Sequence, residues 1–451
     1  VESVAEETGL ADLHQRRAGV LSGGQLRRLG LAMELTTNPS LLLADEVTSG
    51  LDPKSEEEIT RLLAQLARQP GRLVLLVTHS LRFLAEYDSV TVLAGGRLAY
   101  SADPRELTSY FRVSSPEEVY PVLAEREPGQ WAEEWINSPA EIGFEIEAEL
   151  EDMASKLLSE EFSTPSPLPG FWSQSGTWLR RRLRLFCRDR AQILLQLALL
   201  LVFPAIVVIF AYQGLPAVRN MTLSPDVDVI QQLRETLAFT VQSSRVGTLV
   251  SGLIMFQVIL LALMGSNNSA REVVGERTIL EKEKLAGLRP SAALAGMTAF
   301  LSLLVLAQSS WMTFFVRAVC QFPGDLWFQF LPFALLTGAM TSLCLAISSW
   351  TSSSEQASLG SLYLVGFQLP LSGAILALPE LLGWVTRPVV SAYWAWSGYL
   401  QTLKDTRFYD LVQGITETPL ANSGLSLWML CLHITAGLYF SYLGMRRGTW
   451  R

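Results

Sequence analysis

The chain has 451 residues, 49% of them hydrophobic and 17% charged, with a formal net charge of −8 and a mean hydropathy of +0.27. So apolar a composition excludes an ordinary soluble enzyme, while the charged N-terminal third excludes a chain embedded in membrane throughout; a soluble domain fused to a membrane domain remains. A pI near 5.2, with no basic patch interleaved with stacking aromatics outside the flank of the apolar region, excludes a nucleic-acid binder.

The first organised feature is Leu21-Ser22-Gly23-Gly24-Gln25. Ser22 offers a hydroxyl, and Gly23 and Gly24 offer unhindered backbone N–H groups, at the start of a helix predicted over Gln25 to Glu34. Together they make an anion cradle on a helix N-terminus. Next, Leu41 to Ala44 reads as a short buried strand that delivers Asp45 and Glu46 to its C-terminal end. An Asp there suits a magnesium ion, and an adjacent Glu suits a water-activating base. Ser49-Gly50-Leu51-Asp52 follows as a tight loop, and Leu73 to Val77 is a second buried strand ending in Thr78-His79. Singly, each piece has a plainer reading: Ser-Gly-Gly as a turn, Asp-Glu as a helix cap, His79 as a structural residue. Their order and spacing between Leu21 and His79 outweigh those readings.

Val90 to Leu93 and Arg97 to Tyr100 predict a hairpin through Gly95-Gly96. Residues 113–170 form a charged connector, partly helical, punctuated by Ser163-Thr164-Pro165-Ser166-Pro167; its Glu-rich stretches supply much of the negative charge. Residues 171–191 alternate aromatic and aliphatic positions with Arg180, Arg181, Arg182, Arg184, Arg188 and Arg190, the pattern of an amphipathic helix at a membrane face.

Residues 192–447 hold six stretches near the spanning length of about 20 residues: 193–212, 246–266, 292–316, 328–348, 359–378 and 425–445. One such stretch fits a buried core helix; six in succession with short connections predict an all-α membrane domain. Basic residues flank one side of an even-span topology: the Arg cluster before the first span, Arg271, Arg277, Lys282, Lys284 and Arg289 between the second and third, and Arg446, Arg447 and Arg451 after the last. That side is read as cytosolic, with both termini on it, in a multi-pass protein of the cell membrane. The segment 379–424 then faces outward, with Tyr393, Trp394, Trp396 and Tyr399 predicted on a short helix anchored among headgroups. The charged run Ala270 to Leu288 has apolar residues at helical intervals and predicts cytosolic helices able to dock a partner domain, Glu276, Arg277, Glu281 and Glu283 among them. Four cysteines, Cys187, Cys320, Cys344 and Cys431, lack metal spacing and read as reduced, mostly core residues. Asn220-Met221-Thr222 fits a glycosylation sequon.

The N-terminal motif set resembles the ATP-binding cassette family: LSGGQLRRLGLA its signature, LLLADE its second Walker motif, SGLD its D-loop and LLVTHS its switch histidine. The resemblance implies an α/β P-loop NTPase cassette, of which 1–112 is the C-terminal part, with ATP and Mg2+ as cofactors. It implies that Ser22, Gly23, Gly24 and Gln25 contact the γ-phosphate of an ATP held by a partner subunit, with Ser49, Gly50 and Asp52 of the D-loop also at the nucleotide. Asp45 orders magnesium, Glu46 polarises the attacking water, and His79 contacts the γ-phosphate on its own side. Val47 departs from the family, which commonly has Pro there. The order of cassette, connecting helix and six spans resembles the G-subfamily half-transporters with a type-two exporter fold, in which 270–288 corresponds to the coupling helices.

The family's phosphate loop, G-x-x-x-x-G-K-[ST], does not occur in the chain, and the simplest expectation is that the N-terminal part of the cassette is missing from it. Alone, such a fragment is expected to be inactive, because positioning the β and γ phosphates is nearly all that the protein does in phosphoryl transfer. The full-length protein is expected to be an ATP-driven half-transporter, pairing with an identical or different half-transporter amid membrane lipids. A regulatory subunit with a degenerate cassette, and a membrane-tethered ATPase serving another complex, are the alternatives. Spans poor in charge, with His433 the main titratable group and Gln257, Gln308 and Gln368 polar but neutral, favour lipid-like or amphipathic substrates.

Overall fold

The structure is a computed structural model that describes residues 2–13, 16, 18–137, 168–212, 229–375 and 377–447, with the backbone alone for 229–243 and 407. The later part of the expected connector, including Ser163 to Pro167, and the sequon at Asn220 lie outside the described residues. The chain divides into two compact units, 1–165 and 166–451.

In the first unit, α1 (Glu2–Glu7) precedes α2 (Gly23–Leu35), β1 (Leu41–Asp45), α3 (Pro53–Ala67) and β2 (Leu73–Val77). Helix α2 starts where the cradle was expected, because Ser22 caps it. The Ser22 side chain accepts from the Gln25 N–H, and the Gln25 side chain reaches back to the Ser22 N–H, two otherwise orphaned donors satisfied reciprocally. Helix α3 starts at Asp52, which caps it ahead of Pro53; Pro suits a first helical position that has no donor to satisfy.

Strands β1 and β2 are parallel, with Leu41 opposite Leu73 and Asp45 opposite Val77. Here the structure corrects the expectation of strands buried on both faces. Leu42 and Ala44 are buried, Leu42 among Leu35, Ile59, Leu62, Leu63 and Leu66 of α2 and α3. On the opposite face Leu43 and Leu73 are 66% and 65% exposed, and Leu75 and Val77 are exposed with them. The alternation is that of a half-covered sheet.

The hairpin forms as predicted from β3 (Val90–Ala94) and β4 (Arg97–Ala102), paired antiparallel. Gly95 and Gly96 both have positive φ, 53° and 79°, the turn geometry that glycine adopts without a side-chain clash. Three helices follow, α4 (Leu107–Phe111), α5 (Val119–Ala124) and α6 (Pro128–Ile136). They close a core around Tyr100, Phe111, Val119 and Trp131. The folded unit therefore continues to Ile136, past the expected boundary at 112, because aromatic side chains within the charged run find the back of β4.

The second unit opens with α7 (Phe171–Arg188) and α8 (Arg190–Tyr212), then α9 (Val229–Ser269), α10 (Glu272–Gly275), α11 (Arg277–Leu285), α12 (Pro290–Cys320) and α13 (Leu326–Trp350). After them come α14 (Ser354–Gly366), α15 (Gln368–Leu371), α16 (Glu380–Thr386), α17 (Ser391–Gln401), α18 (Arg407–Ile415) and α19 (Ser423–Arg446). Among the described residues, five helical stretches are long and apolar enough to cross a membrane: 190–212, 244–275, 290–320, 326–350 and 423–446. The stretch expected as the fifth of six spans, 359–378, is instead divided between α14 and α15, followed by Gly373 at φ 73°.

Helix α13 is the axis of this unit. A Cβ on Gly265 of α9 would meet the Thr337 carbonyl oxygen at 2.7 Å, and one on Gly437 of α19 would meet Ser342 at 2.5 Å. Only glycine lets these backbones approach so closely. The aromatic helix in 379–424 also departs from expectation. Ser391 to Leu400 of α17 are all buried, against α9, α13 and α19, with Tyr399 stacked on Phe333 at 4.6 Å. Its rings pack the interior of the unit instead of anchoring among headgroups.

Candidate functional site

The parallel register decides the first site. With Asp45 opposite Val77, the residues just past the two strands become neighbours. The Glu46 N–H donates to the Val77 carbonyl at 2.9 Å, and Glu46 Oε1 lies 2.7 Å from His79 Nε2. Both side chains reach solvent, His79 being 78% and Glu46 45% exposed. Glu46 has φ 47°, a left-handed conformation that costs a side-chain-bearing residue energy and concentrates at functional positions. Thr78 turns the chain through the Ser80 N–H, which it accepts at 3.0 Å. Tyr120 of α5 donates its hydroxyl to the His79 carbonyl at 3.1 Å. Tyr120 carried no motif, so sequence reasoning missed it.

Asp45 ends β1 exposed, without a hydrogen bond or ion pair to any described residue. From Glu46 the chain turns tightly: the Ser49 N–H donates to the Glu46 carbonyl at 3.1 Å, and Gly50 follows with φ 74°. Asp52 accepts from the Ser55 N–H at 3.1 Å and from its hydroxyl at 2.6 Å. Those bonds, the hydroxyl first, hold the Asp52 carboxyl below its ordinary range. The loop also meets the capped start of α2. A Cβ on Gly24 would lie 2.9 Å from Ser55 Oγ, and one on Gly23 would lie 3.7 Å from Leu51. Gly24, itself buried, therefore serves the packing of this loop against α2. An ion pair between Arg28 and Glu58 ties α2 to α3. The structure thus groups Ser22, Gly23, Gly24 and Gln25 with Asp52, and Glu46 with His79.

A second constellation lies in 270–288. Glu276 accepts from Arg181 at 2.6 Å and from Arg182 at 3.4 Å, and Glu283 accepts from Arg181 at 2.5 Å. Arg182 also pairs with Glu272 at 2.5 Å, where the two side chains are 15% and 4% exposed. Arg277 donates to the Ser349 carbonyl at the end of α13, at 2.7 Å. Glu281 pairs with Lys284 of its own helix at 3.1 Å, outside this lattice. Gln174 of α7 bonds the Gly287 carbonyl at 3.3 Å and the Arg289 N–H at 2.9 Å. Arg181 and Arg182 also lie over the rings of Trp178 and Phe300, at 4.5 and 5.4 Å. Sequence reasoning placed these arginines at the membrane and missed their carboxylate partners, as it missed Glu272.

The ABC-2 type transporter family matches residues 173–397, and an AAA domain family matches 9–85. The ABC transporter ATP-binding/permease protein Rv1747 of Mycobacterium tuberculosis is 28% identical over 406 residues, 86% of this chain and 42% of that protein. The chain belongs to the ATP-binding cassette transporters. In this ABC transporter the N-terminal region also resembles ATP-binding subunits. The methionine import ATP-binding protein MetN of Corynebacterium jeikeium is 39% identical over 110 residues, 24% of this chain and 30% of that one. The energy-coupling factor transporter ATP-binding protein EcfA2 of Lacticaseibacillus paracasei is 43% identical over 88 residues, 19% and 31% of the respective chains. The chain spans less than half the length of each of these relatives. Its apolar helices and permease-type domain make this ABC transporter an integral membrane protein.

Several polar groups of the transporter's membrane unit pair with one another or with the backbone. Gln196, Asn268 and Gln308 close a ring of amide hydrogen bonds between α8, α9 and α12, at 2.8 to 3.1 Å. Gln257 bonds the Leu253 carbonyl at 3.3 Å, and Gln368 accepts the Ala392 N–H at 2.9 Å. His433 lies between Ser391 Oγ at 2.8 Å and the Pro388 carbonyl at 2.7 Å. Cys320 and Cys344 are buried, while Cys187 and Cys431 are exposed.

Proposed function

We propose that the complete protein is an ATP-driven half-transporter that works as a homodimer or heterodimer, with two cassettes closing on ATP and moving the spans between inward- and outward-facing forms. The observation that carries this reading is the Glu46–His79 pair, 2.7 Å apart past the ends of two parallel strands, in a chain of this family.

In this reading Glu46 is the general base for the attacking water, and His79 contacts the γ-phosphate. The left-handed backbone at Glu46 aims its carboxylate beyond the strand end. Asp45 is the magnesium ligand. An exposed carboxylate without a partner among the described residues fits that ion, which binds through one or two carboxylates together with substrate phosphates. When bound, magnesium neutralises charge on the β and γ phosphates. Ser22, Gly23, Gly24 and Gln25 present the α2 N-terminus to a partner's nucleotide, with Ser49, Gly50 and Asp52 in the adjoining loop.

Coupling runs through α10 and α11. Glu276 and Glu283, gripped by Arg181 and joined by Glu272 through Arg182, make α7 and this segment move as one piece, and Arg277 links it to α13. Glu281 is a surface residue of the same segment. The charged segment lies on the cytosolic side with both termini. Charge-poor spans favour export of lipid-like or amphipathic molecules.

The test uses the full-length protein in proteoliposomes carrying labelled lipid. ATP-dependent lipid movement, lost in Glu46→Gln together with about 10²-fold or more of the ATPase rate, is the expected result. Unchanged turnover in Glu46→Gln overturns the base assignment, and ATP-independent movement overturns the pump.

A further inference from the structure

The six arginines between 180 and 190 fall into two classes that the sequence does not separate. Arg181 and Arg182 turn inward onto Glu272, Glu276 and Glu283. Arg180, Arg184 and Arg188 recur every fourth residue, so they share one face of α7. They and Arg190 are exposed, and none of the four side chains has an acidic partner among the described residues. The nearest carboxylate in sequence, Asp189, is already engaged, accepting the Ala191 and Gln192 N–H groups at 3.0 and 3.1 Å as it starts α8. Trp172, on the same helix, is 83% exposed.

The position of this face fixes what it meets. Arg190 is the first residue of a helix long and apolar enough to cross a membrane, and Arg188 lies at most about 7 Å from it across the extended Asp189. The polar layer outside the hydrocarbon core is about 5–8 Å deep on each side, and an arginine side chain extends further still. Four positive charges without an acidic partner among the described residues, at least two of them at headgroup depth, meet a surface whose own charges sit on phosphates.

We propose that Arg180, Arg184, Arg188 and Arg190 form a binding stripe for the phosphate groups of anionic phospholipids in the leaflet bordered by α7. The guanidinium fork suits phosphate oxygens in pairs, and electrostatic attraction adds about five-fold in affinity per basic residue at an anionic surface. The proposal rests on α8 crossing the bilayer and is independent of ATP hydrolysis.

The test reconstitutes the full-length protein in mixed phosphatidylcholine and phosphatidylglycerol, extracts it, and counts retained lipids by native mass spectrometry. Wild type is expected to retain phosphatidylglycerol preferentially, less so as salt rises, and to keep it against added inorganic phosphate. The triple variant Arg180→Gln, Arg184→Gln, Arg188→Gln loses on the order of 10²-fold of that preference, while the corresponding triple Lys variant keeps most of it. None of the three positions is paired among the described residues, so folding is expected to be preserved; a matched melting temperature verifies it. Equal retention of the two lipids by wild type overturns the proposal. That result is also what occupation of the stripe by the chain's own acidic run between Glu141 and Glu161 gives. Displacement by inorganic phosphate, or a preference that survives in the Gln triple, overturns it equally.

Discussion

Arg181 Nη1 lies 2.5 Å from Glu283 Oε1, joining helices 102 residues apart in sequence. Breaking this bond alone leaves Glu276 still held by Arg182, so the segment loses rigidity without losing its place. Glu283→Arg is expected to lower substrate moved per ATP hydrolysed several-fold while leaving dimer assembly intact. Adding Arg181→Glu restores the opposite-charge pair at 283 but sets a carboxylate against Glu276, so the ratio is expected to recover only in part. The measurement is transport and ATPase on the same proteoliposomes, and an unchanged ratio in the single variant removes the coupling role.

At the strand ends, His79→Ala is expected to lower ATPase activity of the full-length protein while leaving magnesium-dependent nucleotide binding in place. Asp45→Asn is expected to weaken the magnesium dependence of that binding. Titrating magnesium against bound fluorescent nucleotide separates the two, since only the Asp45 variant shifts the midpoint.

Glycine spacing on α19 gives a stability prediction. Gly437 faces Ser342, and Gly444, about two turns further along α19, faces Ser349 of α13 at least as closely. Gly437→Val forces the helices apart and is expected to cost about 1–3 kcal/mol, as overpacking does. Gly414→Ala, where a Cβ meets nothing within 4 Å, is the control. Thermal unfolding in detergent compares them, and equal melting temperatures contradict the close packing.

Tyr100 supplies a pH dependence. Its hydroxyl donates to the Asp103 carbonyl at 2.6 Å. Burial, then the charges of Glu106 and Asp103, push its pKa up from 10.0 to about 12. A raised pKa means that the folded unit holds the proton more tightly than the unfolded chain. The contribution is complete below pH 10 and is lost as pH rises through about 12. Tyr100→Phe is expected to flatten the decline of stability over that window. Chemical denaturation followed by tryptophan emission checks it, and parallel curves for both proteins exclude Tyr100 as the titrating group.

What the sequence made legible was local. Ser22 to Gln25, Asp45-Glu46 and His79 occupy short windows whose order is informative without tertiary knowledge, and a parallel pairing of two short strands is enough to join Glu46 to His79. The glycine hairpin was equally local. Burial was less legible, because Leu43 and Leu75 look like core residues whether or not anything covers them. Trp396 and Tyr399 have the composition of a membrane-interface belt, and only the surrounding α9, α13 and α19 turn them inward. The pairing of Arg182 with Glu272 spans 90 residues, beyond the reach of any helical or strand period. The stretch 359–378 has the hydropathy of a span, but its helical path ends after Leu371, where Gly373 turns at φ 73°, a feature of backbone path that apolar content does not encode.

Trp396 is fully buried, and its indole N–H donates to Ser251 Oγ at 3.2 Å, where α17 meets α9. An indole in that setting is a built-in optical gauge. Its emission depends on whether the Ser251 hydroxyl remains within reach, so the difference spectrum between wild type and Trp396→Phe, recorded through a catalytic cycle, follows the spacing of these helices without any attached dye.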